Sequence, residues 1–511
     1  MHITLDQTSR EPAYKQIHRQ IAELVRDGLL EAGQKIPSVR ELARSLGVSV
    51  KTVYNAYETL AAENIIETRG GSGTYVTPQP GVVTGVNLRT REEMGGPISA
   101  LPPMRWEPYA FRSEFFLMPW SKKHAGEMIH LHQTSPDPAL FPFDRIKQVA
   151  TTMLWYPKEF FFDRGHPQGY QPLVEHLEKE MALTGVPMAE GANDIILTGG
   201  FQRALTLVLD RILKPGQKVA IESPCYAGIL NLLIAREIDF VPIPMDEEGM
   251  DTDVLASILP QGEVRAVITI PTFHNPTGIT MSDGRREHLL RLAAKHRLPI
   301  IEDDWGRLLR YEGEAPPPLK AIDPGGYVIH IGTFSKSFLP GLRIGWITSP
   351  AALAVSLVAE KTGSDMGDSF FSQALLHEFI LKGHFAKHLR KSLSEYKKRR
   401  NAMCKTLKTH LPKGCKFSIP HGGLSVWVEL PKSIKSLPLL SLAREAGVDF
   451  APASFFMHGR QDASALRLSF SRNSAEDIET GVKALCSVIS DCLDNPDLLR
   501  SGAHSFEDLY Q

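Results

Sequence analysis

The chain has 511 residues, of which 42% are hydrophobic and 23% are charged. This composition is typical of a globular protein, and the length predicts two or three domains, since one domain usually has about 100–200 residues. The formal net charge is −1, which excludes a chain that binds polyanions through its overall charge. Any nucleic-acid surface must therefore be local.

The five cysteines are scattered and form no CxxC pair. This argues against a disulfide framework or a zinc site and fits a reducing compartment. The first twelve residues contain no apolar signal core, and the sequence has no run of about 18 apolar residues. We therefore expect a soluble, cytoplasmic protein with no metal site and no membrane partner.

Composition divides the chain into four segments. Residues 1–77 have the pattern of three helices followed by two short strands, and residues 78–118 are rich in proline, glycine and arginine, as linkers are. Residues 119–490 alternate short apolar strands with helices, and residues 491–511 form a polar tail. In the third segment this alternation predicts an α/β domain with a mixed, mostly parallel sheet flanked by helices.

The N-terminal segment has the signals of a helix-turn-helix. Ser38 is followed three residues later by Glu41, which is the pattern of a capping box. Gly47 ends that helix and Ser49 begins the next one, and two short helices joined by such a turn form the motif. A predicted hairpin around residues 69–73 follows and makes a wing.

The second helix of this motif would enter the major groove with its early residues against the base edges. Between Lys35 and Lys51 the basic residues outnumber the acidic ones by three, in a region where phosphate contacts are needed. The predicted partner is a double-stranded DNA operator, and a surface-charged three-helix bundle is the plainer interpretation. The candidate DNA-binding residues are Arg40, Arg44, Ser49, Lys51, Thr52, Asn55, Arg69, Gly71 and Gly73.

In the α/β segment, the sequence GTFSK ends at Lys336, directly after an apolar strand. A lysine in that setting is desolvated enough for its amine to attack an aldehyde. Thr333 and Ser335 could donate their hydroxyls to a phosphate, and Arg343 has a forked set of donors for the same group. A surface position is the plainer interpretation of any single lysine, so three further elements carry the prediction.

Two of these elements follow predicted strands, and the third opens a predicted helix. Asp303 could keep a pyridine nitrogen protonated, and Asn275, in the turn HNPTG, could donate to a phenolic oxygen. A glycine-rich helix start could bind a phosphate through its backbone amides. Each has an ordinary structural interpretation alone, but together they predict pyridoxal 5'-phosphate, with Lys336 as the catalytic residue. The helix start consists of Gly200, Phe201 and Gln202.

The order of the motifs resembles known families. The string PSVRELARSLGVSVKTVYNAYETL and the later GGSGTYV resemble the GntR family of winged-helix repressors over residues 11–77. The motifs GGFQ, PCY, HNPTG, EDD, GTFSK, PGLR and LRLSF resemble, in that order, the fold-type I aminotransferases across residues 119–490. Together the two halves are similar to the MocR subfamily, in which a GntR-type winged helix is fused to an aminotransferase-like domain with a smaller C-terminal α+β subdomain.

The resemblance implies roles that the residues alone do not give. Tyr226 would stack on the cofactor ring, and Arg467 would receive the carboxylate of a ligand. The loop at residues 165–169 would lie near the interface of a homodimer. The sequence departs from the family pattern at Trp305 and Arg164, where tyrosine is usual.

Three functions stay open at this point. The first is a transcription regulator that senses an amino acid or a related amine through the aminotransferase-like domain, and the intact helix-turn-helix favours it. The second is a working aminotransferase that acts on an amino acid and a 2-oxo acid. The third is a cofactor-binding dimer without a signalling role.

Overall fold

The computed structural model describes residues 3–6, 11–26, 29–31, 33–63, 65–69, 72–77, 128–162, 165–188, 191–458 and 463–500. The chain forms two compact units, and the described residues up to 77 belong to the first while those from 128 belong to the second. Among the helices described, none combines the length and the apolar composition that a membrane crossing needs.

The first unit is a three-helix domain with a small antiparallel sheet, in which β3 lies between β1 and β2. Its core is an apolar cluster in which Ile17, Ile21, Val53 and Leu60 are fully buried. The elements are α1 (Ala13–Arg26), β1 (Lys35–Ile36), α2 (Val39–Leu46), α3 (Val50–Ala62), β2 (Ile66–Arg69) and β3 (Gly73–Val76).

The helix ends in this unit lie where the sequence predicts them. The Ser38 hydroxyl accepts the backbone N–H of Glu41, whose carboxylate accepts the N–H of Ser38, so the capping box is present. Gly47 ends α2 with a φ of 64°, and Ser49 caps α3. The predicted winged helix-turn-helix is confirmed, and the two-residue strand β1 is an addition that the sequence pattern does not predict.

The second unit contains all remaining elements. Its helices are α4 (Phe143–Met153), α5 (Glu159–Phe162), α6 (Gln171–Leu183), α7 (Phe201–Ile212), α8 (Ala227–Ala235), α9 (Thr252–Ile258), α10 (Asp283–His296), α11 (Ala351–Asp365), α12 (Phe370–Leu381), α13 (His384–His410), α14 (Ser436–Glu445) and α15 (Ala475–Asp494). Its strands are β4 (Ile129–His130), β5 (Asn193–Thr198), β6 (Lys218–Ser223), β7 (Asp239–Asp246), β8 (Gly249–Met250), β9 (Val264–Thr269), β10 (Ile300–Asp303), β11 (Val328–Thr333), β12 (Gly345–Pro350), β13 (Lys416–Phe417), β14 (Ser425–Glu429), β15 (Val448–Asp449), β16 (Ala451–Pro452) and β17 (Ala465–Ser469).

An eight-stranded sheet of order β5-β12-β11-β10-β9-β6-β7-β8 forms the centre of this unit. The pairs between β11 and β7 are parallel, while β12 runs antiparallel to both of its neighbours. Helices α7, α8 and α11 cover one face, and α4, α6, α12, α9 and α10 cover the other. The structure confirms the predicted mixed, mostly parallel sheet, whose strands are apolar because both faces are buried.

A smaller subdomain packs a four-stranded sheet of order β13-β14-β17-β16 against helices α13, α14 and α15. A separate pair, β4 and β15, joins the first described strand of the unit to this subdomain. The last α-helix, α15, ends at Asp494, three residues past the predicted start of the tail, and Cys492 on it is buried.

Candidate functional site

Six strands of the large sheet end at the same side of it, and five of them, all except β7, lead to predicted cofactor residues. Strands β6, β9, β10 and β11 are parallel, and β5 points the same way because β12 runs antiparallel to both β5 and β11. In open α/β sheets, ligands bind outside the carboxyl ends of the strands. The predicted cofactor residues follow these ends, so the topology brings them to one place although they are far apart in the sequence.

Lys336 lies three residues beyond the end of β11. Its Nζ donates to the main-chain oxygen of Thr134 over 3.1 Å. Desolvation and the charges of Arg467 and Arg343 lower the pKa of Lys336 from 10.5 to about 8, although the carboxylate of Asp303 opposes them. A neutral, nucleophilic amine is therefore accessible near physiological pH.

The three acidic residues 302–304 have different surroundings. Glu302 accepts the backbone N–H groups of Leu319 and Lys320, so it fastens a neighbouring turn. Asp304 lies 3.1 Å from the Nε2 of His330 and accepts a hydrogen bond from Arg307. Both carboxylates are thus engaged by other groups of the protein, Glu302 through both oxygens and Asp304 through Oδ2.

Asp303 is the carboxylate that faces Lys336. It is buried and accepts the backbone N–H of Trp305 over 3.1 Å. Burial, with the adjacent Asp304 carboxylate, raises the pKa of Asp303 well above its usual range, while the positive charge of Lys336 opposes the shift. A protonated ring nitrogen beside Asp303 would offset the cost of burying its negative charge, which favours Asp303 as the partner of that nitrogen.

The amino end of α7 forms an anion cradle with residues of the segment that connects β11 and β12. Gly200 caps α7 with a φ of 86°, and a Cβ built on it would lie 2.7 Å from an Nη of Arg343. Another Nη of Arg343 lies 3.3 Å from Ser335 Oγ. Backbone amides, a hydroxyl and a guanidinium thus converge on one space, which is the donor set that a phosphate requires.

Thr333 lies behind this cradle. It is buried, and its hydroxyl lies 3.1 Å from Ser335 Oγ and accepts the Ser335 N–H. It also lies 3.3 Å from the main-chain oxygen of Ile344. Thr333 therefore positions Ser335, while its own contact with a phosphate stays a prediction.

Arg467 and Asn275 form the other side of the site. One Nη of Arg467 donates to Asn275 Oδ1 and the second to the main-chain oxygen of His132, both over 2.8 Å. The Nε of Arg467 has no partner within the described part of the chain. Since Arg467 occupies Oδ1, the amide nitrogen of Asn275 is left as the donor for a ligand.

Tyr226 and Gln202 complete the enclosure. The two side chains are hydrogen-bonded, and the ring of Tyr226 lies 6.3 Å from that of Phe201. Burial, together with the charge of Asp303, raises the pKa of Tyr226, so the phenol stays protonated. The structure thus brings the predicted ring-stacking residue to the same cluster as Asp303 and Arg467.

In the first unit, most of the predicted DNA-binding residues lie on the helix-turn-helix surface. Arg40, Arg44, Ser49 and Lys51 are exposed, while Thr52 and Asn55 are half-buried. At the wing, Gly73 has a φ of 128°, and a Cβ there would lie 2.6 Å from Lys35 Cε. The Arg69 side chain, Gly71 and Arg164 lie outside the described residues.

The comparisons with known proteins match both units. Residues 13–76 match the family described as bacterial regulatory proteins, gntR family, and residues 164–485 match the family described as aminotransferase class I and II. An uncharacterized HTH-type transcriptional regulator, YdfD of Bacillus subtilis, is 31% identical over 94% of this chain and 97% of its own length. The probable rhizopine catabolism regulatory protein MocR of Rhizobium meliloti is 27% identical over 95% of each chain.

The chain belongs to the MocR subfamily of GntR-type transcriptional regulators. Its second unit is also similar to enzymes. The aromatic-amino-acid aminotransferase 1 of Thermococcus litoralis is 36% identical over 72% of this chain and 89% of its own length. The crystal structure of Pyrococcus horikoshii kynurenine aminotransferase in complex with PMP is 34% identical in sequence, with a TM-score of 0.69 over 72% of this chain and 92% of that chain.

Aminotransferases of this fold are dependent on pyridoxal phosphate, and the residues of this MocR-type regulator fit that group. The space above Gly200, which a Cβ would fill, faces Arg343 and Ser335 and suits the phosphate. Lys336 and Asp303 place an amine and a carboxylate in the same site, and these are the groups that an aldehyde and a ring nitrogen would need as partners. Arg343 is also close enough to Lys336 to lower its pKa.

Several residues of the site are not found from the sequence. Gly345 is one, because a Cβ there would lie 2.9 Å from the backbone of Gly200. The main-chain oxygens of Thr134 and His132, which accept from Lys336 and Arg467, are others. A main-chain acceptor leaves no signal in the sequence, and the two segments that meet here are more than 200 residues apart along the chain.

Proposed function

We propose that this MocR-type regulator binds a DNA operator through its winged helix and senses an amino acid, or a related amine, at the cofactor site of its second unit. The observation that carries the proposal is the presence, in one chain, of a capped helix-turn-helix and a site that unites Lys336, Asp303 and Arg467. The proposed cofactor residues are those predicted from the sequence, with Thr333 acting through Ser335.

The arrangement gives each side chain a task. When bound, pyridoxal phosphate supplies an aldehyde for which the Lys336 amine and the amine of an incoming ligand compete. Lys336 can take up or release a proton near neutral pH because its pKa is about 8. Arg467 can bind the carboxylate of the ligand, so an amino acid fits the site better than a simple amine.

DNA binding in response to the ligand is the decisive test. We expect the cofactor-loaded protein to bind a fragment from upstream of its own gene, and an amino acid that alters the cofactor absorbance to change that affinity. A ligand can shift the equilibrium only if it binds one conformation better than the other. If no such fragment binds specifically at physiological salt, the regulator proposal fails.

An aminotransferase activity is the second candidate. It is favoured by the assembly of Lys336, Asp303, Asn275 and Arg467 at one site and by the similarity to the named aminotransferases. A steady-state assay with amino donors and 2-oxo acids separates the two functions. Turnover on the order of 1–10³ per second supports the enzyme, whereas slow half-reactions without turnover support the sensor.

We also propose that the protein is a homodimer. Trp155 and Phe162 are 86% and 87% exposed in the single chain, close in sequence to the loop at 165–169. Exposed aromatic side chains of this size mark surfaces that bind another protein. Sedimentation should give a dimer, and Phe162→Asp should weaken it because a carboxylate would be buried without a partner.

A further inference from the structure

Two histidines and an aspartate meet outside the cofactor site. Strands β4 and β15 are parallel, and their register places His130 beside Asp449. His132 follows two residues later, just beyond the end of β4, and its side chain reaches the same carboxylate. The backbone pairing, rather than chance proximity, brings the three side chains together.

The contacts are close and use separate atoms. His130 Nδ1 lies 2.8 Å from Asp449 Oδ2, and His132 Nδ1 lies 2.8 Å from Asp449 Oδ1. One ligand atom from each residue falls within 4.8 Å of the others. The carboxylate is 2% exposed, while the imidazoles are 35% and 17% exposed, so water and ions can reach the group from the histidine side.

The donor set favours a particular class of cation. Two imidazole nitrogens and one carboxylate oxygen suit zinc and its first-row neighbours, whereas calcium and magnesium prefer oxygen ligands.

We propose that His130, His132 and Asp449 bind one divalent cation of the zinc class, with water as the fourth ligand. Without the cation, each neutral imidazole keeps its proton on Nδ1 and donates it to Asp449. On binding, the ring proton moves to Nε2 and Nδ1 becomes a ligand, so no net proton is released from a neutral ring. Around a tetrahedral ion with zinc–nitrogen bonds of about 2.0–2.1 Å the ligand atoms lie roughly 3.3 Å apart, so the two nitrogen–oxygen contacts of 2.8 Å would have to open only slightly to admit the ion.

The cation would act as a clamp. It would tie β4, the first strand described in the second unit, to β15 of the small subdomain. The main-chain oxygen of His132 also accepts from Arg467, so the clamp would fix one of the acceptors that orient this arginine. The metal ligands themselves are not among the proposed cofactor residues.

Metal titration of the full-length, cofactor-loaded protein tests the proposal. After treatment with a chelator, we expect calorimetry to give one Zn²⁺ per chain, and Co²⁺ to give the visible absorption of a tetrahedral site. His130→Ala should lower the affinity by at least about tenfold, the smallest effect expected for a group in a metal site. His288→Ala is the matched control, because it removes an imidazole that faces one carboxylate, that of Asp253, without a second histidine.

The outcomes are clear-cut. The absence of stoichiometric Zn²⁺ binding overturns the proposal, and so does an equal affinity in the protein and in His130→Ala. A loss of affinity in His288→Ala of the same size as in His130→Ala also contradicts it. Asp449→Asn should abolish metal binding. If this buried variant fails to fold, His130→Ala decides the question, because the His130 side chain is the most exposed of the three ligands.

Discussion

The glycine that caps α7 gives a sharp test of the anion cradle. Gly200 has a φ of 86° and a ψ of 179°, and its missing Cβ would lie 2.7 Å from an Nη of Arg343 and 3.0 Å from its Cζ. Gly200→Ala therefore has two effects. It places a side chain in a backbone conformation that only glycine adopts easily, and it pushes the guanidinium away from the phosphate.

The two effects have different sizes and different readouts. Backbone strain of this kind costs about 1–3 kcal/mol and acts on the protein with or without its cofactor. Loss of a hydrogen bond to a charged group costs about 1.5–3 kcal/mol, and only the cofactor complex suffers it. Since about 1.4 kcal/mol corresponds to a factor of ten, cofactor affinity should fall roughly ten- to a hundredfold in Gly200→Ala.

Absorbance titration of the apoprotein with pyridoxal phosphate measures the affinity, and urea unfolding of the apoprotein measures the strain. Gly341→Ala is the matched control, because this glycine is two residues from Arg343 and a Cβ there meets nothing within 4 Å. Wild-type affinity in Gly200→Ala would refute the cradle. An equal loss in Gly341→Ala would show that the effect is not specific to Gly200.

Three further changes test the other parts of the molecule. Lys336→Met should stabilise the apoprotein at pH 7 by up to about 3 kcal/mol, because the charged amine of the wild type is costly to bury. This advantage should disappear as the pH rises from 8 to 10.5, since the wild-type amine loses its proton at a lower pH in the folded protein than in the unfolded chain. Urea unfolding at several pH values checks this, and a difference that does not depend on pH contradicts it. Arg467→Lys should weaken the binding of an amino acid roughly tenfold but leave the affinity for a simple amine unchanged. Absorbance titration with both ligands measures this, and an equal loss of affinity for both would exclude a contact between Arg467 and the carboxylate. Ser38→Ala should lower the unfolding free energy of the first unit by about 1 kcal/mol, because the helix cap is lost. Lys51→Ala should leave that stability unchanged and reduce the salt dependence of DNA binding by about one ion. A loss of stability in Lys51→Ala together with none in Ser38→Ala would contradict both assignments.

The helix-turn-helix could be predicted well because its signals are local. Ser38 and Glu41 cap a helix within one turn, and Gly47 ends it at the position where a left-handed residue is needed. Strand β1 could not be predicted, since two residues carry no periodic pattern and the strand forms only by pairing with β3. Val50 and Tyr54 on α3 are not among the predicted DNA-binding residues, although they are 51% and 55% exposed on the helix expected to enter the groove.

The cofactor site could be predicted as a set of residues but not as a geometry. The residue types of Lys336, Asp303 and Asn275 indicate the chemistry, whereas their convergence depends on the strand order. Similarly, His130 and Asp449 are separated by more than 300 residues, and only the pairing of β4 with β15 brings them together. The prediction of no metal site relied on the spacing of the cysteines, and that spacing contains no information about a cluster of histidines and an aspartate.

Arg467 connects the proposed ligand to the proposed cofactor residues, because the carboxylate of the ligand and Asn275 both accept hydrogen bonds from its guanidinium. Both of its Nη groups are engaged, one by Asn275 Oδ1 and one by the main-chain oxygen of His132. Each Nη carries a second N–H, and Nε has no partner among the described residues, so a carboxylate can take a bidentate contact from Arg467 and, by doing so, draw the guanidinium away from Asn275. If Asn275 is displaced, its amide is free to turn, and the donor that it offers to a bound cofactor changes. An amine without a carboxylate leaves this contact in place, so the two classes of ligand should differ in their effect on the cofactor absorbance as well as in affinity.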